Sequence, residues 1–184
     1  MVSHKCLALH PLNNCTRQLN QMKNTLKAYT SYNLWANNEM IKCVEQLTQE
    51  QLHQTIESSF NSVFKTILHI WDAEYIWMQR MQGNSIKDWP SKMMDKDGFS
   101  TNLFLSNSAN FNDFVNACND SFFEQNCVYS NLKGEQFSNP FASVIMHCMN
   151  HSTYHRGQLV TMFRQLGLKE IPSTDLMTFE KNQK

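Results

Sequence analysis

From Met22 to Leu47 the chain sets Met22, Leu26, Tyr29, Asn33, Ala36, Met40, Cys43 and Leu47 in alternating steps of four and three residues. Seven residues make about two helical turns, so the row stays on one face of an α-helix and forms the seam of an antiparallel bundle helix. A seam of this kind cannot be left in water, and its length asks for partners that are also long helices. Asn33 interrupts the apolar row, either as a pocket-lining polar residue or as a buried amide that fixes register.

Three more helices follow from the same periodicity. The second starts near Ser62, a good N-cap, and ends near Gly83, a good C′ residue. It carries one stripe of Val63, Ile67, Ile70, Trp77 and Met81 and another of Phe64, Leu68, Trp71, Tyr75 and Met78, the pattern of a deeply buried helix. Between Asn84 and Thr101 the chain is polar and broken by Trp89-Pro90 and Asp97-Gly98. At ~3.3 Å per residue this connection can travel the length of a bundle, so the second and third helices can run parallel instead of forming a hairpin. The third helix is expected over about Leu103–Phe123, with Phe104, Phe111, Val115, Cys118 and Phe122 facing inward. Val128–Phe137 reads as a loose β-hairpin around Lys133-Gly134. Asn139-Pro140 offers a cap and a first-turn proline to the fourth helix, which Gly167 closes, and Ile171–Phe179 reads as a strap across the end of the bundle.

The 184 residues suffice for one domain with a core of its own. Acidic and basic residues balance at sixteen each and no basic block occurs, which argues against nucleic acid as a partner. No stretch is apolar and long enough for a membrane span, so a membrane role is not expected either. The cysteines Cys6, Cys15, Cys43, Cys118, Cys127 and Cys148 are scattered and are read as free thiols of a cytoplasmic protein. Residues 1–21 are assigned to a flexible N-terminal extension and 22–184 to the bundle domain.

The chemistry concentrates in the fourth helix, where His147, His151 and His155 stand four residues apart. Each step of four advances about 40° around the axis, so neighbouring members of this row can grip one ion, and a third ligand must come from another element. His69 is the only other histidine within an apolar helical segment. Asp72 and Glu74 lie three and five residues beyond it, and a carboxylate can orient a ligand imidazole through its second nitrogen. Near a helix end, however, an acidic residue is more often solvated or ion-paired. Arg156 is assigned to pairing with an acid in preference to holding an anionic substrate, Gly157 to a close helix contact and Gln158 to satisfying a buried neighbour. Tyr29, Trp35, Trp71 and Trp77 are assigned to the core.

Tyr32-Asn-Leu-Trp-Ala-Asn37, Leu68-His69 followed by Asp72-Ala-Glu74 and Trp77, and His151-Ser-Thr-Tyr-His-Arg-Gly-Gln158 with Leu166-Gly167 and Pro172–Asp175 together resemble the DinB-like family of metal-binding bundles. The resemblance runs from about Met22 to Phe179. It implies an all-α four-helix bundle in up-down-down-up order, with the long crossover between helices two and three and the small hairpin before helix four. By its motif the metal ligands are His69, His151 and His155, with His147 left to packing or pocket lining, and the ion is nickel or zinc. It further implies a homodimer and, for many members and their relatives, transfer of a low-molecular-weight thiol to an electrophilic substrate in stress or detoxification. A non-enzymatic, dimeric metal-binding stress protein and a metal-dependent hydrolase are the alternatives.

Overall fold

The computed structural model describes residues 11–93 and 99–183, with side chains from residue 17 onward. Asp97-Gly98 and the first ten residues of the expected extension, Cys6 among them, lie outside these, as does the side chain of Cys15. The long helices are α1 (Pro11–Val44), α3 (Val63–Met81), α4 (Thr101–Ala117) and α6 (Phe141–Gln165), with the short helices α2 (Gln49–His53), α5 (Asp120–Phe123) and α7 (Leu176–Asn182) between and after them. One antiparallel hairpin, β1 (Asn126–Ser130) and β2 (Gln136–Pro140), precedes α6, with Val128 opposite Ser138 and Gly134 in the left-handed conformation at its turn.

Two apolar clusters fix the directions of the helices. At one end Leu26 of α1 packs with Met78 and Met81 of α3, Val115 of α4 and Ile145 of α6. At the other, Met40 and Val44 join Val63 and Ile67, Phe104, and Leu159 and Met162. The N-terminal halves of α1 and α6 therefore lie with the C-terminal halves of α3 and α4, which is an up-down-down-up bundle. The connection from Gln82 to Ser100 has to run the full length of it. It is tied down on the way: Asp72 of α3 accepts from the Ser91 backbone N–H at 2.8 Å and from the Ser91 hydroxyl at 2.6 Å, beside the buried Pro90.

Several expected boundaries move, each for a local reason. α1 starts at Pro11 instead of near Met22, so residues 11–21 of the expected extension continue the helix. The third helix breaks at Cys118, whose backbone turns extended, and Asn119 caps the separate α5 by accepting from the Phe122 N–H. The break swings Phe123 into the core and leaves Phe122 and Cys118 half-buried. Asn139 does not cap α6: strand pairing holds it opposite Cys127, its side chain accepts from the Tyr129 hydroxyl at 3.1 Å, and Pro140 takes the N-cap position. Ser62 caps α3 as expected, through the Lys65 N–H at 3.2 Å. The C-terminal strap lies along the flank of α1 and not across the bundle end. Asp175 caps α7, Phe179 is buried against Tyr32 and Trp35, and the Tyr32 hydroxyl donates to the Thr174 carbonyl at 2.7 Å.

Gly157 makes no close helix contact. It is exposed on α6, and nothing lies within 4 Å of where a Cβ would stand. A glycine inside a helix costs backbone entropy and here provides no packing in return. Gly157→Ala is therefore expected to raise stability by about 0.5–1 kcal/mol, read as an upward shift of the urea midpoint with an unchanged m-value.

Between the apolar clusters lies a polar layer in which every long helix takes part. Glu74 is fully buried and accepts from Asn33 Nδ2 at 2.7 Å, Asn37 Nδ2 at 2.9 Å, the Ser108 hydroxyl at 2.6 Å and the Ser152 hydroxyl at 3.1 Å. The carbonyl oxygens of the same two asparagines accept from Arg156, which also donates to Thr153 Oγ1 at 2.8 Å. Glu74 is thus neither solvated nor directly ion-paired; two amides stand between it and Arg156 and engage both. Asn33 is a register residue, and Asn37, Ser108 and Ser152 complete its function.

Candidate metal centre

His69 projects from α3, and His151 and His155 project from one face of α6, toward a common point. His69 Nε2 lies 2.9 Å from His151 Nε2, which lies 3.1 Å from His155 Nε2. The group is tight enough for one ion, with one ligand atom from each histidine and all of these within 4.8 Å of one another. The Phe60 ring stacks on His69 with centroids 4.0 Å apart and meets His155 edge-on at 5.5 Å, while Trp89 from the crossover stands 5.6 Å from His69.

His155 is held by its far nitrogen. Nδ1 lies 2.8 Å from Gln158 Oε1, and the Gln158 amide nitrogen donates to the Ser59 hydroxyl at 3.0 Å. Because the glutamine oxygen can only accept, the proton of a neutral His155 sits on Nδ1 and its Nε2 presents a lone pair. Gln158 therefore has the orienting role for which Asp72 and Glu74 were the sequence candidates; Asp72 is turned to Ser91 and Glu74 to the polar layer. Glu74 reaches the cluster only indirectly, through Ser152 beside His151.

The protonation chemistry of the cluster suits a cation. Burial, followed by the neighbouring His155, pushes His69 down to about 4; burial, then His155, His69 and His147, pushes His151 down to about 3. Burial also lowers His155, against the pull of Gln158. The rings are neutral at pH 7, the form in which imidazole binds metal. One proton can bridge only one pair of converging nitrogens, so three neutral rings leave at least one lone pair facing another, an arrangement that a single divalent ion relieves. The His151 Nδ1 is buried and has no hydrogen-bond partner among the described residues.

These shifts carry a sign for stability. The folded values lie below the ordinary 6.5, so between pH 6.5 and about 3 the unfolded chain binds protons that the folded one refuses, and acid favours unfolding. Metal-free protein is expected to lose stability steadily as pH falls from 6.5 toward 4, with these groups contributing no slope above 6.5. Urea midpoints across that range test it, since His151→Ala must flatten the slope.

His147 stands apart from the trio. It is exposed, its ring meets Trp77 edge-on at 5.1 Å, and its centroid is 6.3 Å from that of His151. Together with His69, His151, Trp77, Trp89, Arg80 and Leu132 it lines a cavity of about 200 Å³ beside the histidines. Trp77 is therefore a wall of this cavity as well as a core residue, whereas Trp71 is buried. Phe60, Arg80 and the Gln158–Ser59 link had not been assigned to the site from the sequence. Of these, only Gln158 carried a local signal, its i,i+3 spacing from His155.

A helical bundle in which two helices bring three imidazole nitrogens to one point is of the class that can hold a divalent metal ion. Comparison with known proteins agrees with this architecture: residues 22–184 match the model of the DinB family, and the chain belongs to that family. The curated Protein DinB of Bacillus subtilis (strain 168) is 24% identical over 153 residues, covering 77% of this chain and 86% of that protein. The crystal structure of a DinB-like protein from Bacillus subtilis superposes with a TM-score of 0.60 at 14% identity, over 80% of this chain and 97% of the other. A second, from Bacillus cereus, gives 0.52 at 21% identity, over 75% and 89%. At such identities the two structures bear on the fold alone. No helix among the described residues is long and apolar enough to cross a membrane.

Proposed function

We propose that His69, His151 and His155 are the ligands of a divalent ion, nickel or zinc, and that the protein is a metal-dependent transferase joining a small thiol to an electrophile. The observation that carries this reading is the convergence of three neutral imidazoles at the edge of a cavity instead of inside a closed core. Three neutral ligands leave an ion its full charge and an open position, the arrangement of a catalytic site in contrast to a closed structural one.

When bound, such an ion would stabilise the thiolate form of a coordinating thiol and so supply a nucleophile at neutral pH. The chain's own residues do the rest. Gln158 fixes the His155 tautomer, Phe60 and Trp89 flank His69, and the walls formed by Trp77 and Leu132 give an apolar surface for the reacting carbon. In the reaction a sulfur–carbon bond forms, the thiol proton passes to solvent, and the leaving group departs with its bonding pair.

The test is an absorption titration of cobalt- or nickel-loaded protein with a panel of cellular thiols, using His155→Ala as the blank. A saturable sulfur-to-metal charge-transfer band for one thiol is expected. A spectrum that no thiol moves overturns the transferase and leaves the ion to hydrolysis or to stability alone.

A further inference from the structure

We propose that Arg80 is the anchor for a carboxylate on the small molecule that enters the cavity beside the three histidines. Arg80 is buried, 7% exposed, at the end of α3, and it lines the same cavity as His69 and His151. Its guanidinium carbon lies 4.5 Å from the centre of the Trp77 ring and 4.9 Å from that of Tyr129. The two ring centres lie only 5.1 Å apart, so both rings sit to one side of the cation. Such ring contacts take none of the five N–H donors, which point outward in the guanidinium plane.

Nε is buried and unpartnered, and the ion pairs found among the described residues belong to Lys23, Lys42 and Lys92. The other buried arginine makes the contrast: Arg156 also leaves its Nε unpartnered, yet its terminal nitrogens meet Asn33, Asn37 and Thr153. Among the described residues the fold thus gives the terminal nitrogens of one arginine three acceptors, while the other, on the cavity wall, has two aromatic neighbours and a buried Nε without one. A buried cation held in that way is costly unless an anion completes it. A planar fork held against two rings on one side presents paired parallel donors, the geometry that a carboxylate matches with both oxygens. Arg80 would then set which substrate is taken, by fixing the charged end while the rest of the molecule extends along Trp77 toward the histidines.

The choice of ligand rests on the thiol-transferase reading only for the position of the sulfur; the anion preference stands without it. The experiment compares 3-mercaptopropionate with its neutral counterpart 3-mercapto-1-propanol. It is read by the sulfur-to-metal band in cobalt-loaded protein and by tryptophan emission in both loaded and metal-free protein, since Trp77 lies against the guanidinium. The expected result is that wild type binds the carboxylate probe about tenfold more tightly, that Arg80→Met brings it down to the affinity of the alcohol, and that Arg80→Lys retains part of the preference.

Equal affinity for the two probes in wild-type protein overturns the proposal whatever the variants do, as does a preference that survives Arg80→Met. If no thiol produces the band while tryptophan emission still reports the Arg80-dependent preference, the transferase reading fails and this one stands. Succinate then separates two sources of the carboxylate, both consistent with the anchor. Succinate that binds alongside 3-mercapto-1-propanol places the charge on the acceptor, and mutual exclusion places it on the thiol.

Discussion

His155→Ala protein is expected to emerge from metal loading and desalting without its ion, while His147→Ala keeps it at full stoichiometry. The two residues differ by two turns of one helix, but only His155 shares the nitrogen cluster and only His155 is held from behind, by Gln158. Removing a ligand from a three-ligand site should weaken binding on the order of 100-fold or more, beyond the roughly 10–100-fold that loss of an outer partner causes. Gln158→Ala should fall in that lesser range, because the ring is then free to rotate and to change tautomer. Competition with a chromophoric chelator measures all three variants. Full occupancy in His155→Ala sinks the ligand assignment, and loss of metal from His147→Ala would move the gripping pair one turn along α6.

Glu74→Ala is expected to be the most destabilising single change in the bundle. Two asparagine amides and two serine hydroxyls lose their acceptor at once, and Arg156 remains buried with only neutral oxygens near it. Leaving a buried charge uncompensated costs about 3–5 kcal/mol, which for a chain of this size lowers Tm by roughly 10 °C or more. Glu74→Gln keeps the shape but turns one acceptor into a donor facing donors, and should cost about 1–3 kcal/mol. Thermal and urea melts decide the matter. A nearly neutral Glu74→Ala would mean that water satisfies the layer.

The bundle was legible because its long helices obey one rule throughout, apolar rows at helical period, and because a connection as long as Asn84–Thr101 leaves room for a crossover. The histidines were legible for a related reason: polar groups spaced by four within an apolar stretch need a shared partner. Which two of the row act together was not settled by spacing, since both neighbouring pairs step by the same angle; contact with Trp77 draws His147 away. Phe60 and Ser59 reach the site from the segment between α2 and α3, where no periodicity says what a side chain will touch. Arg80 stands near a helix C-terminus, where basic residues are ordinary, and its aromatic contacts draw on the hairpin residue Tyr129, 49 positions later. Two helix boundaries moved for opposite reasons. At Asn139 a strand pairing outbid a capping preference, and Asn119 used such a preference to interrupt a helix that apolar periodicity would have continued.

The order in which the chain is made gives the crossover a temporal meaning. α1 packs on α4 and α6, and α3 does the same, so neither of the first two long helices finds its lasting neighbours until much later sequence has emerged. Contacts so distant along the chain are slow to form. His69 is synthesised more than eighty residues ahead of His151 and His155, and Glu74 waits similarly for Ser152. The histidine cluster and the polar layer beneath it both close only when α6 docks. A nascent or truncated chain that lacks α6 holds one histidine of the three and half of a charged network, and so the capacity to hold an ion is acquired only once α6 has docked.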